Sequence, residues 1–266
     1  MSSLISLAVY DTEENQRTKY TISTIESLKE TLTEWSGDRI IVIDNGSCQE
    51  TKDYLMDQLS YFNSPCYDRH NFTVITNPTN VGTAKAINQA WALRKPGEYL
   101  IKMDNDVVIH SYGWVEELEE AIERDPKIGI VGLKRKDLFE SPYRNDMFKS
   151  ELRMLPHKNG ERWIIVEDVQ HVMGTCQMYN PKLIDKIGGL YQMYGIYGFD
   201  DTMSAVRAKV TGFKSCFLPH IEIDHIDTGE NPYQKEKEAY AASMMARFNQ
   251  EKDEMLTGQR SIYVPL

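Results

Sequence analysis

Asp104-Asn105-Asp106 follows the apolar run of residues 99–103 and leads straight into Val107, Val108 and Ile109. Carboxylates at i and i+2 where a buried strand leaves a sheet repel each other and resist desolvation. They are rare at such a point unless paired or holding a cation. A divalent metal that holds a nucleotide diphosphate calls for this pattern, because Mg²⁺ and Mn²⁺ take hard oxygen ligands and phosphates complete the shell. A plain polar turn uses the same residue types, so the triplet alone does not choose between the two.

The elements that must position these residues alternate. Residues 4–10, 39–43, 72–76 and 99–103 read as strands, and residues 18–35, 50–59, 83–91 and 111–124 as helices. In the first helix Ser23 and Glu26 have capping-box spacing. Strand–helix alternation predicts a parallel sheet with helices on its faces, and such sheets bind ligands outside the carboxyl ends of their strands. Asp44, Asn80 and Asp104 all fall at or just after such ends. Past Gly132 the alternation weakens, and residues 134–162 are polar with no clear period. Residues 163–168, 171–179 and 215–223 then read as strands. Helices are expected after Asn180-Pro181 and over residues 200–209 and 234–251, and the last fifteen residues are expected to be peripheral.

Composition narrows the function classes. The chain has 266 residues, 41% hydrophobic and 26% charged, as expected of a soluble globular protein. Thirty basic residues against 40 acidic ones give a net charge of −10, which disfavours nucleic acid and anionic lipid as partners. Lys134-Arg135-Lys136 is the one short cationic cluster. The apolar runs fall far short of the ~20 residues of a membrane span, and neither a transmembrane segment nor a signal peptide is visible. Cys48, Cys66, Cys176 and Cys216 lack metal-finger spacing, so reduced thiols and a cytoplasmic location are expected.

The remaining signals come in order: Asp44-Asn-Gly-Ser47, then Asn80-x-Gly82-x-x-Lys85-x-x-Asn88, then Asp104-Asn-Asp106. Gly174 follows, then Phe199-Asp200-Asp201 with Arg207 and Gly212 downstream, then His225. In this order, over roughly residues 3–228, the chain resembles the GT-A glycosyltransferases, specifically the inverting family-2-like group. The resemblance implies a Rossmann-like α/β fold, a mostly parallel central sheet flanked by helices. Residues 1–230 would form the glycosyltransferase domain, with a helix and tail over 231–266 packed on it.

The resemblance also implies roles. Asp44 would bond the nucleotide base, where an Asx turn is the plainer reading of the same residues. Asn80, Gly82 and Lys85 would form the donor loop and helix start, with Lys85 reaching the diphosphate. Asp104 would face ribose or metal, Asp106 would ligate Mn²⁺ or Mg²⁺, and His225 would complete the shell, its imidazole favouring manganese. Gly174 would border the donor sugar. Asp201 would be the general base, with Asp200 beside it contacting the acceptor or capping a helix. Tyr10 would stack on the base, although Ala8-Val9-Tyr10-Asp11 stands where the family has Pro-Thr-Tyr-Asn. Tyr194 and Tyr197 would meet a saccharide or other hydroxyl acceptor.

The implied function is metal-dependent inverting transfer of a sugar from a nucleotide sugar, UDP-sugar favoured. A nucleotidyltransferase is the first alternative, although a Gly-rich loop after strand one is missing from residues 10–17. A non-catalytic glycan-binding relative is the second.

Overall fold

The computed structural model describes residues 2–33, 36–64, 71–139, 150–155, 163–193, 195, 197–227 and 232–266. Its first half alternates as the sequence predicts. The order is β1 (Ser3–Val9), α1 (Thr18–Thr31), β2 (Arg39–Asp44), α2 (Gln49–Phe62), β3 (Asn71–Thr76), α3 (Thr83–Trp91) and β4 (Tyr99–Met103). The short β5 (Val107–Ile109) follows at once, then α4 (Trp114–Arg124) and β6 (Ile128–Arg135). The second half adds β7 (Glu151–Met154), β8 (Ile165–Val169), β9 (Cys176–Tyr179), α5 (Pro181–Ile187), α6 (Asp200–Val210), β10 (Lys214–His225) and α7 (Pro232–Leu256).

The strands join in the order β3-β2-β1-β4-β9-β6-β10-β8-β7, with β5 paired to β10. The ladders from β3 to β4 are parallel. β9 is then inserted antiparallel between β4 and β6, which makes the sheet mixed. Both faces are covered, as parallel strands require. Ile5, Leu7, Ile40 and Val42 pack toward α1, α2 and α4, while Leu4, Ile41 and Ile43 pack toward α3, α5 and α6.

Three local expectations change. α1 begins at Thr18, so Ser23 lies inside it and its hydroxyl donates to the Lys19 carbonyl (3.0 Å) instead of capping a start. The strand expected over 171–179 is confined to Cys176–Tyr179, and residues before it form the turn that carries Gly174. β6 was hidden by Gly129 and Gly132. Both admit no side chain: a Cβ on Gly129 would lie 2.6 Å from Phe213, and one on Gly132 would lie 2.3 Å from Val172. Of residues 134–162, those at 140–149 and 156–162 lie outside the described residues.

The last residues are fastened to the fold. Val264 donates to the Ile187 carbonyl (2.9 Å) and accepts from Gly189 (2.9 Å). Arg207, fully buried, donates through Nε to the Ile262 carbonyl (2.7 Å) and also bonds the Ile187 carbonyl. Gly188 makes this closeness possible: its φ is +68°, and a Cβ there would lie 1.8 Å from the Val264 carbonyl oxygen. Gly188→Ala is therefore expected to cost about 2–4 kcal/mol from backbone strain plus overpacking. Urea unfolding measures it, and an unchanged midpoint would show that the tail is not held here.

Candidate active site

β1, β2 and β4 run parallel and end on one edge, where a cleft of about 360 Å³ opens. Tyr10, Asn80, Asp104, Asp106, Asp201 and His225 all line it. The route from β4 to β5 sets the geometry around Asp106. β5 pairs antiparallel with β10 so that Val107 stands opposite His225, and Ile226 donates to the Asp106 carbonyl (2.9 Å). Asp106 and His225 are thereby brought together from opposite halves of the chain, with Nε2 3.5 Å from Oδ2.

Asp106 is nearly enclosed. Arg17 donates to its Oδ2 (2.7 Å), while its Oδ1 is buried with no hydrogen-bond partner among the described residues. Burial alone would raise its pKa, but His225 and then Arg17 outweigh that and hold the carboxyl well below the usual carboxylate range. Arg17 also bonds Asn105 Oδ1 (3.2 Å) and Asp227. Asn105 is tied in turn to buried Asp11 (2.9 Å) and Thr21 (2.7 Å). Asp11, at the place of the family's Asn, thus anchors the Asp-Asn-Asp turn from below. Burial raises its pKa.

A second cluster forms around Lys102, a lone cation inside a buried strand. Its Nζ donates to Asp104 Oδ1 (2.6 Å) and to the Gly174 carbonyl. Burial works against its charge, yet Asp104, Asp200 and Asp201 together raise its pKa. Gly174 donates to Asp201 Oδ2 (3.1 Å), and a Cβ on Gly174 would sit 2.7 Å from Lys102 Nζ. Asp201 Oδ1 accepts from Thr202 N–H (2.6 Å), while Asp200 Oδ2 is buried without a hydrogen-bond partner among the described residues. Burial first, then the neighbouring carboxylates against Lys102, push the Asp200 pKa up to about 6.

The other expected residues divide. Tyr10, Gly174 and Tyr197 line the cleft, and Lys237 from α7 lies 5.0 Å over the Tyr197 ring. Asp44 is buried beside the cleft: Oδ1 accepts from Ser47 N–H three residues on (2.8 Å), closing the Asp44–Ser47 turn, and Oδ2 has no partner among the described residues. Asn80 Oδ1 accepts from Gly82 N–H (2.9 Å), which shapes the entry to α3. Lys85 is exposed and is not among the cleft-lining residues. Its N–H donates to Gln192 Oε1 (2.8 Å), whose Nε2 donates to the Val81 (3.1 Å) and Gly195 (2.7 Å) carbonyls. Tyr194 lies outside the described residues. Among the described residues no three His, Cys, Asp or Glu side chains gather as a metal cage, so Asp104 does not join Asp106 and His225 as a preformed third ligand.

Sequence reasoning missed Arg17, Lys102, Asp227 and Lys237, all of which line the cleft. Lys102 had a visible signal, a charge inside the apolar run of residues 99–103. The others had none, because their partners lie far away in sequence.

Comparison with known proteins agrees on one family. The model described as glycosyl transferase family 2 matches residues 15–188. No curated protein matches the chain in sequence. Among solved structures, GalNAc-T7 with UDP, GalNAc and Mn²⁺ superposes with a TM-score of 0.61 at 15% identity, covering 85% of this chain and 44% of that one. S. aureus TarS 1–349 with UDP-GlcNAc gives 0.61 at 16%, covering 86% and 61%. Full TarS gives 0.60 at 16%, covering 88% and 38%. These likenesses identify the fold as GT-A, and the chain spans less than two thirds of each protein.

Lys102 is the cation on which Asp104, Asp200 and Asp201 depend. Lys102→Met is expected to lower stability at neutral pH by roughly 2–4 kcal/mol, because it strands desolvated carboxylates. The deficit should shrink as acid protonates them. Thermal melts across pH check this, and a deficit independent of pH would assign Lys102 a packing role only.

Proposed function

The chain belongs to glycosyl transferase family 2, and on that premise we propose that it is a metal-dependent inverting enzyme. It moves a sugar from a nucleoside-diphosphate sugar, UDP-sugar favoured, to a hydroxyl of a saccharide or other acceptor. One observation carries this reading. A buried carboxylate beside an imidazole, Asp106 and His225, shares a cleft with the carboxylate pair Asp200–Asp201.

The donor set fits a divalent metal. Asp106 Oδ1 is buried without a partner among the described residues, and His225 is adjacent. Two protein ligands suit an ion whose shell is completed by nucleotide phosphates, and the imidazole favours Mn²⁺ over Mg²⁺. Asp104, bonded to Lys102 and not gathered with Asp106 and His225, is assigned to the ribose side of the donor. When bound, the metal stabilises charge on the departing nucleoside diphosphate. Nucleotide and metal appear together in the GalNAc-T7 structure, which supports the choice.

The chain's own residues supply the rest. Asp44 receives the base and Tyr10 stacks on it, and Asn80 and Gly82 shape the loop beneath the donor, while Lys85, exposed on α3 outside the cleft, is left without a donor role. Gly174 leaves room beside the sugar. Asp201, held by Gly174 N–H, takes the proton from the acceptor hydroxyl as that oxygen attacks the anomeric carbon. The C–O bond to the diphosphate breaks in the same displacement, which inverts the centre. Asp200, beside Asp201, has its own proton affinity raised by burial and by the neighbouring carboxylates. Tyr197 offers the acceptor an aromatic surface, and Tyr194 is assigned to acceptor binding. A cytoplasmic setting is supported by unpaired Cys48, Cys176 and Cys216, and among the described residues no helix is long and apolar enough to cross a membrane.

Incubation with a panel of nucleotide sugars and Mn²⁺ should release nucleoside diphosphate, and Asp106→Ala should abolish metal-dependent donor binding in calorimetry without unfolding the protein. Release of pyrophosphate would indicate nucleotidyl transfer, and release of neither product with any donor would leave glycan binding as the function.

Asp201→Asn should bind donor normally while kcat falls by about 10²-fold or more, with Asp200→Asn doing less to the chemical step. kcat/KM is expected to change as pH passes through about 6, where the raised Asp200 carboxyl protonates, and that step should be missing in Asp200→Asn. Full activity of Asp201→Asn would remove it from the chemistry.

A further inference from the structure

Arg17 immediately precedes α1, far from every motif, yet its guanidinium is buried against the Asp-Asn-Asp turn. It donates to Asp106 Oδ2 (2.7 Å), to Asn105 Oδ1 (3.2 Å) and to Asp227. Asp106 Oδ2 is also the atom nearest His225 Nε2, at 3.5 Å. A divalent ion bridging Asp106 and His225 would therefore arrive beside a fixed positive charge in a desolvated place. An arginine cannot relieve such a clash by giving up a proton. It can relieve it only by moving.

We propose that Arg17 competes with the divalent cation for Asp106: it neutralises Asp106 and Asp227 in the metal-free protein and withdraws toward Asp227 when the ion binds. Arg17 is a positioning residue that sets metal affinity. Metal binding to the protein alone is then weak, because an ion on either Asp106 oxygen meets the guanidinium that this carboxylate already holds. A nucleoside diphosphate changes the balance by bringing negative charge for both cations. The coupling between nucleotide and metal is therefore partly stored in this side chain.

This inference rests on the metal reading above, and its test separates the two. Mn²⁺ affinity of the purified protein is measured by calorimetry, with and without UDP, for the wild type and Arg17→Gln. The variant should bind Mn²⁺ alone about tenfold tighter or more, because a neighbouring like charge has been removed. Its thermal midpoint should be lower without metal and recover more on adding Mn²⁺, and UDP should improve its metal affinity less. Equal or weaker Mn²⁺ binding by the variant would overturn the role of Arg17 alone. Failure of both proteins to bind Mn²⁺, with or without UDP, would overturn the metal reading and this inference with it. Should Arg17→Gln not fold, a Mn²⁺-soaked crystal of the wild type decides. Arg17 is expected to have left Asp106 while still on Asp227, and an ion on Asp106 with the Arg17–Asp106 bond intact would overturn the proposal.

Discussion

Lys102 is held between Asp104 and the Gly174 carbonyl, and that contact joins the two halves of the cleft. On the proposed function, carboxylates that bind a leaving group and carboxylates that take a proton must lie within one substrate's length of each other. Unbalanced, they would repel and resist dehydration. Lys102 answers this from below, inside β4, with charge felt by Asp104, Asp200 and Asp201 together. Arg17 answers it on the other side, between Asp106 and Asp227. The cleft is thus a set of anions threaded by cations, and its acidity is tuned by position.

Topology supplies that positioning with few residues. Two residues separate β4 from the Asp106 peptide, and β5 then turns to meet β10, which places His225 beside Asp106 through backbone pairing alone. The antiparallel insertion of β9 brings the Gly174–Thr175 turn against Asp104, whose N–H donates to the Thr175 carbonyl (2.9 Å). The mixed half of the sheet is what carries the second carboxylate pair to the parallel half.

Much of this was legible in the sequence where chemistry and element ends coincide. Asp104-Asn-Asp106, Asp200-Asp201 and His225 could be read because each pairs an unusual residue type with a predictable strand or helix boundary. Arg17 and Asp227 could not, since they meet across 210 residues and neither sits in a recognisable pattern. Lys85 reads as a donor contact by spacing along α3, but its exposure follows from the direction in which that helix leaves the sheet, which periodicity does not fix. The Ser23–Glu26 pair had capping-box spacing without a helix start, because α1 begins at Thr18, as its sequence reads, and Ser23 falls inside it. The glycines of β6 masked a strand whose backbone is wanted precisely where side chains cannot fit.

Gln192 carries a consequence for kinetics. One amide grips the start of α3 through Lys85 N–H and the Val81 carbonyl, and also the Gly195 carbonyl in the loop that bears Tyr197. The segment proposed to shape the donor pocket and the segment proposed to border the acceptor therefore share a single clasp. Movement of one would change the strain on the other without any contact between the two substrates. On the proposed function, whichever substrate arrives first would set the stiffness that the second encounters.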